Sequence, residues 1–97
     1  MTQYFGVLKI KAGKRAEYIK ALTEGCLEET FRKQQGNVYY YISESVTEAD
    51  VITVIDAWES HDAFDAHCNS PEVTGLWNEL VEKFVEKELK SDIYDIE

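Results

Sequence analysis

The residues that could do chemistry are concentrated in positions 58–71, which read WESHDAFDAHCNSP. Within this stretch, His67 is surrounded in sequence by the apolar residues Ala63, Phe64, Ala66 and Cys68. A histidine beside a cavity can act as a proton acceptor, because its unperturbed pKa of about 6.5 lies close to neutral pH. A buried histidine can equally be a hydrogen-bonded structural residue. The sequence leaves both interpretations of His67 open.

Two further residues, Tyr40 and Trp58, could cooperate with such a histidine. Tyr40 belongs to an alternating stretch, NVYYYISES, which predicts that its side chain points into the core or into a cavity layer. Trp58 ends an apolar run and is interpreted as core or cavity wall. Asp56 lies on the same run and needs a partner if it is buried. We interpret Asp56 as structural, with Arg32 as its candidate partner.

The spacing of the metal-binding residue types does not favour a metal site. His61 and His67 are six residues apart, which does not place them on one face of a helix. Cys26 and Cys68 lack CxxC spacing and are expected to be free thiols that pack as small buried hydrophobes. No phosphate-binding glycine loop is present either. We therefore expect neither a metal nor a cofactor.

Length and charge limit the classes of partner. The 97 residues predict one domain spanning positions 1–97. The net charge of −9 disfavours nucleic acid and anionic membrane surfaces as partners, because both would repel the chain. The opening residues lack the basic start and long apolar core of a signal peptide, and no stretch reaches membrane-spanning length. We expect a cytoplasmic location.

The periodicity of apolar residues predicts the elements that must position these side chains. Alternation predicts strands and 3.6-residue spacing predicts helices. Ser60 is the expected N-cap of a short helix, and Ser70 and Pro71 are expected to begin the last one. The predicted order is strand 4–11, helix 14–35, strand 37–45, strand 51–58, helix 61–68, a helix from Ser70 to about 86, and strand 89–97. This βαββαβ order predicts an α+β, ferredoxin-like fold with a four-stranded antiparallel sheet.

The sheet face that carries no helix is expected to be apolar. Its predicted members are Tyr39, Tyr41, Thr53, Ile55 and Ala57. An exposed patch of this kind usually contacts a partner. A homodimer with its two sheets packed face to face is the simplest way to cover the patch.

Several motifs, in order and spacing, resemble the antibiotic biosynthesis monooxygenase (ABM) family of dimeric α+β barrels. They are Arg32, Gly36 and Tyr40 in RKQQGNVYY, Asp56 and Trp58 in DAW, and Ala63, Phe64, His67 and Ser70 in AFDAHCNS. The chain departs from the family where Gln34 and Gln35 replace a frequent Glu-Pro pair. It departs again where Pro71–Glu72–Val73 replaces a frequent motif that contains a second histidine.

The resemblance implies a cofactor-independent monooxygenase that oxidises a small aromatic or quinol substrate with molecular oxygen. It implies that His67 is the catalytic residue and that Trp58, Tyr40 and Phe64 contact the substrate. Two other functions remain open: an isomerase or degradative enzyme for a small oxygenated metabolite that needs no oxygen, and a dimeric small-molecule binder without catalysis. The fold alone does not choose among them.

Overall fold

The computed structural model describes residues 1–96 and contains four strands on which all the helices pack. The elements are β1 Thr2–Ile10, α1 Arg15–Glu24, α2 Leu27–Arg32, β2 Asn37–Glu44, β3 Val51–Trp58, α3 His61–Cys68, a π-helical turn Val73–Trp77, α4 Asn78–Phe84 and β4 Val85–Asp95. The strands are antiparallel in the order β2-β3-β1-β4. The predicted ferredoxin-like α+β fold is confirmed.

The register of the sheet places one row of side chains beneath the helices. Tyr40 on β2 pairs with Asp56 on β3, which pairs with Tyr4 on β1. Because side chains alternate along a strand, all three point to the helical face. This row brings together polar groups from three separate parts of the sequence.

The core fills the space between the sheet and the helices. Apolar side chains from every layer are almost fully buried there, and the main ones are Ile10, Tyr18, Leu22, Leu27, Phe31, Ile52, Val54, Trp58 and Phe84. Each large apolar side chain that folding removes from water contributes roughly 1.5–3 kcal/mol. The core therefore fixes α3 firmly above β3, where the candidate site residues lie.

The helix expected over 14–35 is interrupted at Gly25 and Cys26. Cys26 has a left-handed backbone with φ of 54° and begins α2. A Cβ atom added to Gly25 would lie 3.1 Å from Leu76 Cδ2, so this glycine permits a close contact with the π-helical turn. The break turns Leu27 and Phe31 into the core and leaves Cys26 exposed. The expectation that Cys26 and Cys68 are buried is wrong, since both are exposed.

Helix capping follows the prediction at α3 but not at the last helix. The Ser60 hydroxyl oxygen accepts a hydrogen bond from the Ala63 amide at 3.1 Å, as expected of an N-cap. The Ser70 hydroxyl instead donates to the His67 carbonyl at 2.6 Å. Ser70 therefore closes the end of α3 rather than capping the following helix with its side chain.

The final strand begins earlier than predicted. β4 starts at Val85, which pairs with Ile10, and two irregularities in register follow along β1. β4 is an edge strand whose side chains are mostly exposed, so few apolar residues mark its beginning. Its first residues therefore resemble the polar end of a helix in the sequence.

The helix-free face of the sheet is partly exposed and apolar. Tyr39 pairs with Ala57 and Tyr41 with Ile55, which places these side chains on the predicted face. The Tyr39 and Tyr41 rings stack with centroids 5.9 Å apart, and 53% of Tyr41 is exposed.

None of the helices within residues 1–96 is long and apolar enough to cross a membrane.

Candidate active site

A cavity of about 310 Å³ lies between the sheet and the segment from α3 to α4. This volume falls at the lower end of the range for small-molecule sites. Aromatic rings and a few polar groups dominate its wall, and those used below are Tyr4, Tyr40, Asp56, Phe64, His67 and Trp77. The cavity therefore suits a small, flat ligand that carries polar substituents.

His67 lies in the last turn of α3 and forms part of the cavity wall. Its ring stacks on Trp58, with centroids 4.5 Å apart and planes inclined by 23°. The edge of Phe31 packs against it at 4.8 Å. Only 7% of the residue is exposed. Two rings from other elements therefore hold the imidazole in one orientation.

The hydrogen bonds of Gln34 define which nitrogen of His67 carries the proton. His67 Nδ1 lies 2.7 Å from Gln34 Oε1, and Gln34 Nε2 donates to Glu72 Oε2 at 3.5 Å. An ionised carboxylate only accepts, so the Gln34 amide must direct its N–H to Glu72 and its oxygen to His67. We assign the proton of neutral His67 to Nδ1 on this basis, which leaves Nε2 as an acceptor.

Burial lowers the pKa of His67 to about 4, and the negative charge of Glu72 opposes this shift only in part. The imidazole is therefore neutral at pH 7. Gln34 is uncharged, so the group bonded to His67 Nδ1 brings no charge that would raise the pKa further.

Asp56 lies in the same wall and has one carboxylate oxygen without a partner among residues 1–96. Its Oδ2 accepts a hydrogen bond from Trp58 Nε1 at 2.7 Å. Its Oδ1 is buried and makes no hydrogen bond to any group within residues 1–96. Only 1% of the residue is exposed. Burial raises the pKa of Asp56 to about 6, and the Trp58 hydrogen bond opposes that rise.

The expected pairing of Asp56 with Arg32 is wrong. Arg32 Nε donates to the Tyr40 carbonyl at 2.9 Å, and the guanidinium pairs with Glu28 one helical turn earlier. The guanidinium also lies over the ring of Tyr41, 5.4 Å from its centroid. Tyr41 points to the opposite face of the sheet from Asp56. The contacts of Arg32 are therefore with β2 and Glu28 rather than with Asp56.

Tyr4 and Tyr40 flank Asp56 from the two neighbouring strands. Burial raises the pKa of both phenols, so both remain protonated at neutral pH. The Tyr4 ring lies over Gly6, where an added Cβ would be 2.5 Å from Tyr4 Oη. Glycine at position 6 thus makes room for the Tyr4 ring beside the cavity.

The structure brings three of the four predicted site residues into the cavity wall. Tyr40, Phe64 and His67 line it directly. Trp58 is fully buried one layer behind, where it contacts both His67 and Asp56. Sequence reasoning missed the contributions of Tyr4, Gln34 and Asp56. A tyrosine two residues before a strand glycine is the one local signal that could have pointed to Tyr4.

Comparison with known proteins identifies the family. The sequence pattern of the antibiotic biosynthesis monooxygenase family matches residues 5–76. The chain belongs to the antibiotic biosynthesis monooxygenase family. A comparison with curated protein sequences gave no significant match.

Several solved structures share the fold of this ABM chain. A candidate antibiotic biosynthesis monooxygenase from Nitrosomonas europaea superposes with a TM-score of 0.86 at 18% identity, covering 99% of this chain and 98% of that one. One from Deinococcus radiodurans gives 0.85 at 20% identity, covering 100% and 93%. A protein from Shewanella oneidensis gives 0.84 at 22% identity, covering 96% and 87%. At such identities, the likeness establishes the shared fold.

Residues of the types that bind metal ions are not clustered in the described part of this ABM chain. Within residues 1–96, no group of three or more His, Cys, Asp or Glu side chains is arranged to hold a metal ion. The polar groups of the cavity are instead the His67 imidazole, the carboxyl groups of Asp56 and Glu88, the phenols of Tyr4 and Tyr40, and the side chains of Cys68 and Asn78.

Proposed function

We propose that this chain is a cofactor-independent monooxygenase that oxidises a small aromatic phenol or quinol with molecular oxygen. The observation that carries the proposal is the neutral imidazole of His67, held with Nε2 as an acceptor in the wall of an aromatic cavity. Membership of the ABM family supports the same class of reaction.

The chemistry needs no reductant beyond the substrate. In the simplest balanced reaction, a phenol and one O₂ give a quinone and one water. One oxygen atom enters the ring, the other leaves as water, and the ring supplies all four electrons. Loss of the hydroxyl proton makes the ring a better electron donor, so the protein has to bind the hydroxyl and stabilise its anion.

Each cavity residue has a distinct part in this proposal. His67 Nε2 accepts a hydrogen bond from a substrate hydroxyl and orients the ring. Phe64 and Tyr40 contact the ring, since aromatic side chains pack well against flat ligands. Trp58 acts from behind, because its ring fixes the plane of the His67 imidazole.

Oxygen consumption with 1,5-dihydroxynaphthalene tests the proposal. We expect the purified protein to consume one O₂ for each 5-hydroxy-1,4-naphthoquinone formed, well above the rate without protein. His67→Ala should reduce this rate about 100-fold, the lower end of what a lost catalytic hydrogen-bonding group costs. His61→Ala is the matched control, because His61 lies on the same helix with an exposed side chain.

The outcomes separate the alternative functions. A His67→Ala variant as fast as the wild type would remove His67 from the reaction. Conversion of the substrate under argon would indicate isomerase-type chemistry. Tight binding of the naphthalene without conversion in air would indicate a binding protein.

We also infer that a second copy of the chain covers the helix-free face of the sheet. The stacked rings of Tyr39 and Tyr41 and the neighbouring Ile55 form an apolar surface on that face. Like surfaces related by a two-fold axis are self-complementary, which makes a homodimer the simplest arrangement.

A further inference from the structure

Asp56 is a buried acid whose placement the folded chain by itself does not explain. One carboxylate oxygen is fixed by the Trp58 indole, while Oδ1 is buried and without a partner within residues 1–96. Buried polar atoms are nearly always hydrogen-bonded, and each exception calls for an explanation. Asp56 also lines the cavity, so a ligand there is placed to supply the missing donor once the atoms that cover Oδ1 move aside.

We propose that Asp56 Oδ1 accepts the hydrogen bond of a substrate hydroxyl and then takes its proton, so that the cavity selects ligands with a free O–H group. This inference rests on the proposed function, because both place an aromatic hydroxyl in the same cavity. In a ring with two hydroxyls, Asp56 and His67 Nε2 bind one each. A methyl ether of the same ring offers no proton and leaves Oδ1 unpartnered.

The proton transfer is balanced within the site. The O–H bond of the substrate breaks, an O–H bond forms on Asp56 Oδ1, and the negative charge moves from the carboxylate to the phenolate. No electrons are exchanged in this step, and the oxygen chemistry follows on the anion. The phenolate then faces a neutral carboxylic acid that can donate a hydrogen bond back to it.

Asp56 is a stronger base than His67, the other proton acceptor in this proposal. Titratable neighbours come from four of the packed elements: Tyr4 on β1, Tyr40 on β2, Glu88 on β4, and His67 and Cys68 on α3, with Glu72 behind Gln34. The π-helical turn and α4 contribute only Val73, Trp77, Asn78 and Val81, which do not titrate.

Three of these neighbours can be compared directly with Asp56. Tyr4 and Tyr40 stay protonated and can only donate their phenolic protons to a ligand. The pKa of Asp56, about 6, lies above that of His67, about 4. Proton transfer to Asp56 is therefore favoured over transfer to His67.

Binding of 1-naphthol and 1-methoxynaphthalene under argon tests the inference without any turnover. Quenching of tryptophan fluorescence or calorimetry gives both dissociation constants. At pH 8, the wild type should bind the naphthol at least tenfold more tightly than the ether. This preference should weaken as the pH falls through 6, because protonated Asp56 accepts a weaker hydrogen bond than the carboxylate does. The pKa of His67, about 4, lies below this pH range, so a change near pH 6 does not come from His67.

Asp56→Asn should abolish the preference and its pH dependence. The amide oxygen can still accept from Trp58, and the amide N–H₂ that then faces the cavity would donate to either ligand. Asp62→Asn, the same change at an exposed position of α3, should behave as the wild type. A preference that survives in Asp56→Asn would overturn the inference. So would a pH-independent preference in the wild type, or no binding of either naphthalene.

The two proposals fail in different ways. A preference that depends on Asp56, together with no oxygen uptake on any phenol, would leave the binding role intact and overturn the monooxygenase. Oxygen uptake that is unchanged in Asp56→Asn, together with an unchanged preference, would leave the monooxygenase intact and overturn the role of Asp56.

Discussion

At the scale of single residues, the burial of the Asp56 carboxylate lowers the stability of the folded chain. Burial raises its pKa from the usual 3.8 to about 6. Keeping the carboxylate ionised in the folded state at pH 8 therefore costs roughly 1–3 kcal/mol, at 1.36 kcal/mol for each pKa unit. Asp56→Asn should raise the free energy of unfolding at pH 8 by that amount, as measured by urea denaturation.

The pH dependence of this stabilisation has a defined sign. The folded pKa of Asp56 lies above the unfolded value, so its stability deficit is absent below about pH 3.8 and grows as the pH rises to 6. The gain from Asp56→Asn should therefore be full at pH 8 and largely lost at pH 4. Asp62→Asn provides the matched control. An Asp56→Asn variant that is less stable than the wild type at pH 8 would contradict this explanation of the effect of Asp56 on stability.

The sequence allowed part of the cavity to be predicted residue by residue. Strand alternation predicted that Tyr40 points inward, and the family resemblance implied His67 and Phe64 as site residues. The structure places all three in the cavity wall. The environment of Asp56 could not be predicted, because a local pattern shows an acid on an apolar strand but not what faces its carboxyl group. Gln34 meets His67 across 33 positions of sequence, a contact that only the fold creates.

At the scale of elements, the break between α1 and α2 uses an unfavourable residue. Cys26 adopts φ of 54°, a left-handed conformation that costs an ordinary L-residue about 1 kcal/mol or more. Gly25, which could adopt it freely, instead has φ of −75°. Cys26→Gly should therefore raise the free energy of unfolding by up to about 1 kcal/mol, less the entropy that glycine adds to the unfolded chain.

Gly25→Ala tests the second residue of the helix break. A Cβ at position 25 would lie 3.1 Å from both Leu76 Cδ2 and the Ala21 carbonyl oxygen, so this change should destabilise the protein. Urea denaturation of both variants measures the two effects. Loss of stability in Cys26→Gly, or a gain in Gly25→Ala, would contradict the explanation of the break.

The order of the elements was predictable because hydrophobic periodicity is a local signal. The strand predicted over 51–58 and the helix predicted over 61–68 have the observed bounds. The helix break was not predictable, because it depends on the packing of Gly25 against Leu76 from a distant segment. The start of β4 was missed because an exposed edge strand carries too few apolar residues to show a period of two.

At the scale of the whole molecule, the helix-free face of the sheet predicts the assembly state. Tyr41 is 53% exposed on this face and stacks on Tyr39. A stable homodimer buries about 800 Å² on each partner, with charged residues depleted at its centre. Tyr41→Glu should therefore convert a dimer into a monomer, as measured by sedimentation velocity.

A control at the far end of the sheet makes this test specific. Val46→Glu introduces the same charge at a position that is 99% exposed, between β2 and β3. This variant should remain dimeric. A wild-type protein that sediments as a monomer at micromolar concentration would contradict the predicted dimer.

Labelling with ¹⁸O₂ tests monooxygenation most directly. The protein is incubated with 1,5-dihydroxynaphthalene under ¹⁸O₂, and the quinone is analysed by mass spectrometry beside a protein-free control. The proposed reaction predicts one ¹⁸O atom in each quinone formed above the control, and the other in water. A quinone without the label, or substrate loss that does not require O₂, would contradict the monooxygenase function.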